Sequence, residues 1–314
     1  MKLKIMPQTI IKPLIIAMFF AITSCTLDKT DYEDEMNSIV TEDYDFKEAI
    51  SFSNSHYKIS LETLNGTFYK GYNEIRLMIT NTQTNENIVP SDVTFLPVMT
   101  NANNENMSCP HRYNLVYNSN KNYYSGYVVF TTTSEANNSW KLYLNFSDGS
   151  QTFSVNQTIA VEEQTNKNLN MTAFTGNNGE QYFIALVAPQ KPKVAENELV
   201  AGIYTYNTPT NPAGTFPDPT QFSYSEVSSF TLQLDPRMPE PSMGNHSSPN
   251  NQDLTQQNDG LYHGVVNYTM TGNWTLNFIL LNQNNEIIKG TEVPTDFTPG
   301  VDGVKSELFI DILF

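Results

Sequence analysis

The chain has 314 residues and a mass of 35.5 kDa, about two average domains' worth. Acids outnumber bases 33 to 17, so no basic stripe exists to neutralise phosphate, and a nucleic-acid binder built on that principle is excluded. Aromatic residues make up 12% of the chain, enough core material to argue against global disorder. Its two cysteines, Cys25 and Cys109, are too few for a disulfide scaffold.

Residues 1–24 read as a signal peptide. Lys2 and Lys4 form a basic head, and an apolar run from Leu14 to Ile22 follows Pro13. That run is too short to span a membrane and right for an export signal. No acid falls within it, so the rest of the chain sets 14 bases against 33 acids, a formal charge of -19. Ile22-Thr23-Ser24-Cys25 resembles the lipobox of bacterial lipoproteins. The resemblance implies that Cys25 is lipidated and becomes the first mature residue. Each buried acyl CH₂ contributes roughly 0.8 kcal/mol, so a multiply acylated cysteine needs no protein span. Residues 25–48, with Asp28, Asp31, Glu33, Asp34, Glu35 and Glu42, read as an acidic, solvated tether. An acidic stretch after the lipidated cysteine resembles surface-export signals of Bacteroidota lipoproteins. The expected location is the outer membrane, facing the periplasm or the cell surface.

Two stretches of the mature chain share one pattern. Tyr124-Ser-Gly126-Tyr-Val128-Val-Phe130 and Tyr262-His-Gly264-Val-Val266-Asn-Tyr268 both read Y-x-G-x-V-x-aromatic, 138 residues apart. Each precedes a tryptophan strand, Trp140-Lys-Leu142-Tyr-Leu144-Asn-Phe146 or Trp274-Thr-Leu276-Asn-Phe278-Ile-Leu280. Large apolar side chains recur at period 2, the mark of half-buried antiparallel strands. Asn73-Glu74 and Asn197-Glu198 open further apolar strands upstream. Turns such as Asn65-Gly66, Asp148-Gly149, Asn178-Gly179 and Asp259-Gly260 punctuate the strands, and no capped helical period intervenes. The expected fold is all-β: two tandem Ig-like antiparallel β-sandwich domains, the first at 49–163 and the second at 176–314, joined by a polar segment. A Pro-punctuated insertion at 207–220 belongs to the second.

Soft metal ligands gather in equivalent windows. Met99, Met107, Cys109 and His111 lie within 13 residues, and Met238, Met243 and His246 within nine. The prolines Pro110, Pro236, Pro239 and Pro241 suggest loops, where sites tend to be placed. Thioether and thiolate sulfur select Cu(I), and imidazole suits copper in either state. Methionine also fills irregular gaps, so Met99 and Met238 equally suit a plug at the sandwich end.

Asp235-Pro-Arg-Met238-Pro-Glu-Pro-Ser-Met243-Gly-Asn-His246, Gly260-Leu-Tyr262-His-Gly264-Val-Val266 and Met270-Thr-Gly272-Asn-Trp274 together resemble the YtkA-like/FixH-like family of exported β-sandwiches. The resemblance covers most of 181–285 and, more faintly, 57–147. It implies copper handling, with Met238, Met243 and His246 as one site and His263 as a fourth ligand. Met99, Met107, Cys109 and His111 would form a second. The first window departs from the family pattern, since Cys109-Pro-His111 stands where the second has Gly244-Asn-His246. Nucleophile, phosphate-loop and zinc-protease motifs are missing, so no enzyme is expected. Two functions from different classes stand: a lipoprotein binding copper for storage or transfer, or a non-metal binding module or scaffold of an envelope complex. Copper is the one cofactor implied. The expected partners are the membrane, through Cys25, and an envelope protein, with no nucleic acid.

Overall fold

A computed structural model describes residues 45–54 and 56–314. The signal peptide, Cys25 and nearly all of the tether lie outside them. The first half runs β1 (Phe46–Ser53), β2 (Tyr57–Leu64), β3 (Phe68–Tyr69), β4 (Gly71–Asn81), β5 (Val93–Thr100), β6 (Asn106–Met107), β7 (Val116–Asn118), β8 (Tyr123–Phe130), β9 (Ser139–Asp148), β10 (Gln151–Ile159) and β11 (Val161–Glu162). The second runs β12 (Met171–Thr175), β13 (Gln181–Ala188), β14 (Glu196–Tyr206), β15 (Tyr224–Glu226), β16 (Thr231–Met238), β17 (His246–Ser247), β18 (Gln252–Gln256), β19 (Tyr262–Asn267), β20 (Asn273–Leu281), β21 (Ile287–Lys289) and β22 (Leu308–Leu313). Two 3-10 turns, Pro219–Gln221 and Pro241–Met243, are the only helical pieces among the described residues. The protein is all-β, and its pairings are antiparallel except β11 with β3.

In the first half the sheet β1-β2-β4-β8-β7 faces the sheet β10-β9-β5-β6. Ile59, Leu61, Ile75, Leu77 and Val128 from one meet Phe95, Met99, Trp140, Leu142 and Leu144 from the other in one core. Strand β4 shows the cause, because its residues alternate between buried and half-buried along all but its last position. Successive side chains point to opposite faces, so alternation in sequence becomes one dry face. Strand β1 begins at Phe46, inside the stretch that reads as tether. A bulge between Glu48 and Ile50 breaks its alternation, which hides an edge strand from period-2 reading.

The second half has its own core, with Ile184, Leu199, Tyr262 and Val266 packed against Leu232, Trp274, Leu276 and Ile310. Its strands form one continuous sheet rather than two separate ones. Strand β18 pairs with both β19 and β16, its Thr255 opposite His263 on one side and Thr231 on the other. In the first half a lone bridge, Thr94 with Asn114, stands at that crossing.

The two cores use matching parts. Pro97 pairs with Leu142 and Pro236 with Leu276, each two residues past a buried tryptophan. Trp140 donates its indole N–H to the Thr132 carbonyl, and Trp274 to the Met270 carbonyl. Tyr124 and Tyr262 donate their hydroxyls to the carbonyls of Pro90 and Val227. Asn73 accepts from the Tyr69 N–H at 2.9 Å and donates to the carbonyls of Tyr69 and Gly71. Asn197 does the same with Lys193 and Ala195, accepting at 3.0 Å. The glycine of the Y-x-G motif answers to close approach: a Cβ on Gly126 would lie 2.4 Å from Leu115 Cδ2, and one on Gly264 2.5 Å from the Gln252 carbonyl oxygen.

The segment between the halves is packed, unlike a loose linker. Gln164, Asn166 and Asn168 are buried. Leu169 N–H donates to Gln164 Oε1 at 3.0 Å, Asn168 Nδ2 to the Gln190 carbonyl at 2.7 Å, and the Asn166 carbonyl accepts from Leu313. Its polar side chains cap backbone groups that burial would otherwise leave unpaired. Strand β12 occupies its last five positions. Between the halves Val129, Met171, Phe183, Ala185 and Tyr204 form a third apolar cluster, flanked by Tyr72, Tyr127, Tyr206 and Tyr224.

Candidate functional site

The structure divides the first window. Met99 is buried at the end of β5 and pairs with Met107 of β6, which is 46% exposed. Cys109 has no exposed surface, and burial pushes its thiol well above the usual range. A protonated thiol without access is a poor metal ligand. His111 is also buried. Its Nδ1–H donates to the Cys109 carbonyl at 2.7 Å, and its ring lies 6.2 Å from that of Tyr224 of the second half. Burial lowers its pKa to about 4 despite that hydrogen bond, so the ring is neutral at pH 7. Cys109 lies in the first core with Met99, His111 meets the second half through Tyr224, and Met107 stands exposed.

The second window is drawn in more tightly than a loop. Met238 ends β16, is fully buried, and pairs across the strands with His246 of β17. Met243 and Met270 pack partly buried against the same core. The His246 ring lies 6.2 Å from Trp274, and its Nε2 is 2.8 Å from Thr269 Oγ1. The 291–304 loop covers this end: Asn245 Nδ2 donates to the Pro294 carbonyl and Gly303 N–H to the Pro239 carbonyl. His263 is not part of the group. It sits level with Thr231 across β18, seven residues along β16 from Met238, about 23 Å at the rise of a strand. Both its ring nitrogens are engaged, Nδ1 with Glu198 Oε1 at 2.8 Å and Nε2 with Asp259 Oδ2 at 2.9 Å. Burial alone would lower its pKa, but these carboxylates outweigh it and raise it. Among the described residues no group of three or more His, Cys, Asp or Glu side chains is arranged to hold a metal ion.

The site that sequence reasoning missed is a cleft of about 470 Å³ where the halves meet. The first half contributes Met99, Met107 and Thr132; the second contributes Phe183, Tyr206, Phe222 and Tyr224. No charged side chain lines it. The residues at the two ends of the 207–220 insertion, Tyr206, Gln221 and Phe222, line it. Asp218 fastens that loop by accepting from the N–H groups of Gly214 and Thr220 at 2.9 and 3.0 Å. Phe216 then sits edge-on to Tyr143 of the first half, ring centroids 5.7 Å apart. Tyr224 donates to the Ser108 carbonyl at 2.8 Å, Tyr127 to Glu226 Oε1 at 3.1 Å, and Arg112 lies 3.6 Å from the same carboxylate. These bonds fix the cleft's two sides to one another. The sequence signal was the Pro-punctuated insertion with its Phe216, followed closely by Phe222.

No family model and no curated protein matches the chain. Among solved structures it is similar to the conserved domain protein from Bacillus anthracis, at 11% identity over 86% of this chain and 90% of that one, with a TM-score of 0.25. A likeness at that level carries no argument about function.

Proposed function

We propose that the chain is a non-enzymatic binding module of the bacterial envelope, anchored through Cys25, whose recognition site is the uncharged cleft between its two cores. The observation that supports this reading is the cleft itself. It is concave, largely apolar, held open by hydrogen bonds to backbone on both sides, and lined by the residues that flank the insertion of the second half. Ligand sites favour such junctions between domains, at volumes of about 300–1,000 Å³. A chemically diverse fragment set, screened by ligand-observed NMR on the full chain, tests it. Some fragments should bind the parent and lose that binding in Met107→Glu; if none depends on Met107, the reading is abandoned. Anchoring is tested separately. Cys25→Ala should move the protein from the detergent phase to the aqueous phase, and unchanged partitioning would reject the lipid anchor.

A second reading keeps the YtkA-like/FixH-like resemblance and its copper. What favours it is the direct cross-strand pairing of Met238 with His246, with Met243 on the same core. Paired strand residues place their Cβ atoms roughly 5 Å apart, and thioether with imidazole is a Cu(I) donor set. The burial of Met238 and the hydrogen bond of His246 to Thr269 weigh against it. Cu(I) titration of the full chain against Met238→Leu/Met243→Leu/His246→Ala decides. Leucine conserves volume while removing sulfur, so unchanged affinity in a folded triple variant would end the copper reading.

A further inference from the structure

We infer that the cleft between the cores takes a neutral ligand bearing an aromatic ring; this rests on the cleft being the recognition site. The charge balance favours a neutral ligand. The chain has a formal charge of -16, yet no charged side chain lines the cleft. A charged ligand would lose its hydration there and find nothing to pair with, a cost of several kcal/mol in an apolar site. A neutral ligand escapes that cost.

The chemistry of the walls favours a ring. Rings from Phe183, Tyr206, Phe222 and Tyr224 and the thioethers of Met99 and Met107 supply the apolar lining, beside neutral polar side chains such as Asn106, Gln181 and Gln221. Phe183 and Tyr206 already pack against Tyr224, at 5.5 Å edge-on and 5.4 Å tilted. A further ring extends this cluster by edge or offset contacts, each worth about 0.5–1.5 kcal/mol beyond burial. Thioether sulfur adds favourable contacts at a ring edge, and methionine adapts its shape to what enters. Met107 keeps 46% of its surface exposed, so it has surface left to bury against a ligand.

The tyrosine hydroxyls are turned away from the space. The phenol groups of Tyr206 and Tyr224 are already donated, to the carbonyls of Gln221 at 3.0 Å and Ser108 at 2.8 Å. They therefore present ring bodies to the cleft instead of hydroxyls.

The test uses two fluorophores with one skeleton, N-phenylnaphthylamine, which is neutral, and its sulfonated analogue anilinonaphthalene sulfonate. Each is titrated into the full chain in micelle-free buffer. The neutral probe should bind at least tenfold more tightly than the anion. Phe222→Ala and Met107→Glu should each weaken the neutral probe at least tenfold while leaving the thermal midpoint within a few degrees. Met107→Lys should weaken the neutral probe and strengthen the anionic one. If the anion binds the parent as tightly as the neutral probe, with Met107→Glu abolishing both, the ligand class is wrong and the cleft remains the site. If both probes ignore Phe222→Ala and all Met107 variants, or neither binds, the inference is overturned; the fragment screen then decides separately whether the cleft binds anything.

Discussion

Asn73 and Asn197 fasten the entry of equivalent strands through the same three hydrogen bonds, yet the loops at the rims of the two cores meet opposite fates. In the first core the Cys109–His111 loop lies against the second core, where Tyr224 and the third apolar cluster close over it. In the second, the Met243–His246 loop stays at the rim, covered by a neighbouring loop of its own half. Neither fate follows from the loop's own residues. Each depends on what the rest of the chain packs against that rim. The comparison shows that matching interiors do not make matching sites, because an interior is set by alternation and a rim by context.

The comparison is tested most severely at the two tryptophans, both fully buried with their indole N–H groups bonded to backbone. Trp140→Ala and Trp274→Ala should each cost about 3–5 kcal/mol, read from the shift of the denaturant midpoint. If the interiors are equivalent, the two losses should agree within about 1 kcal/mol; a gap of several would break the equivalence.

Two histidines, one in each half, sharpen the difference between the halves. His111 has its pKa lowered to about 4 by burial, so between about 4 and its unfolded value near 6.5 the unfolded chain binds more protons. Stability therefore falls as pH drops through that window, by roughly 3 kcal/mol in all. His111→Phe should flatten the slope measured by denaturation at successive pH values. An unchanged slope would mean that the ring is not sequestered.

A smaller effect is expected at the asparagines. Asn73→Ala and Asn197→Ala each strand a backbone N–H and two carbonyls, for a loss of about 1–3 kcal/mol, again equal in both halves. Gln in either position should fail to restore it, since its longer side chain cannot hold the same three partners. Thermal unfolding of the single variants checks both points.

The smallest effect has the opposite sign to that of His111. His263 is held above its ordinary pKa by Glu198 and Asp259. Its contribution is present in full below about 6.5 and disappears as pH rises through the folded value. These partners are largely exposed, and solvent screens exposed pairs to below about 1 kcal/mol. NMR titration of the His111 and His263 ring protons should therefore show one pKa displaced downward and the other upward. Shifts in the same direction would remove the contrast between the two environments.

Much of the interior was legible from residue order. The period-2 faces around Tyr124, Trp140, Tyr262 and Trp274 place those strands within a residue or two of where they lie, because alternation reports on the nearest neighbours of one strand. The Y-x-G glycines, the Asn-Gly turns and the Asn73 and Asn197 strand entries are local signals of the same kind. What escaped was decided by distant residues. The bulge in β1 breaks alternation without a mark in the composition. Gln164, Asn166 and Asn168 of the polar segment are buried because their side chains and backbone pair with groups from elsewhere. His263, which looked close to the methionines by sequence, is separated from them by β18. His111 became interface because Tyr224, more than a hundred positions away, packs onto it, and Phe222 lines a cleft with Met99 for the same reason. Sequence by itself determined which faces would be dry. Only the tertiary structure decided which dry and polar groups meet, since burial of a rim depends on contacts between segments whose separation along the chain carries no local signal.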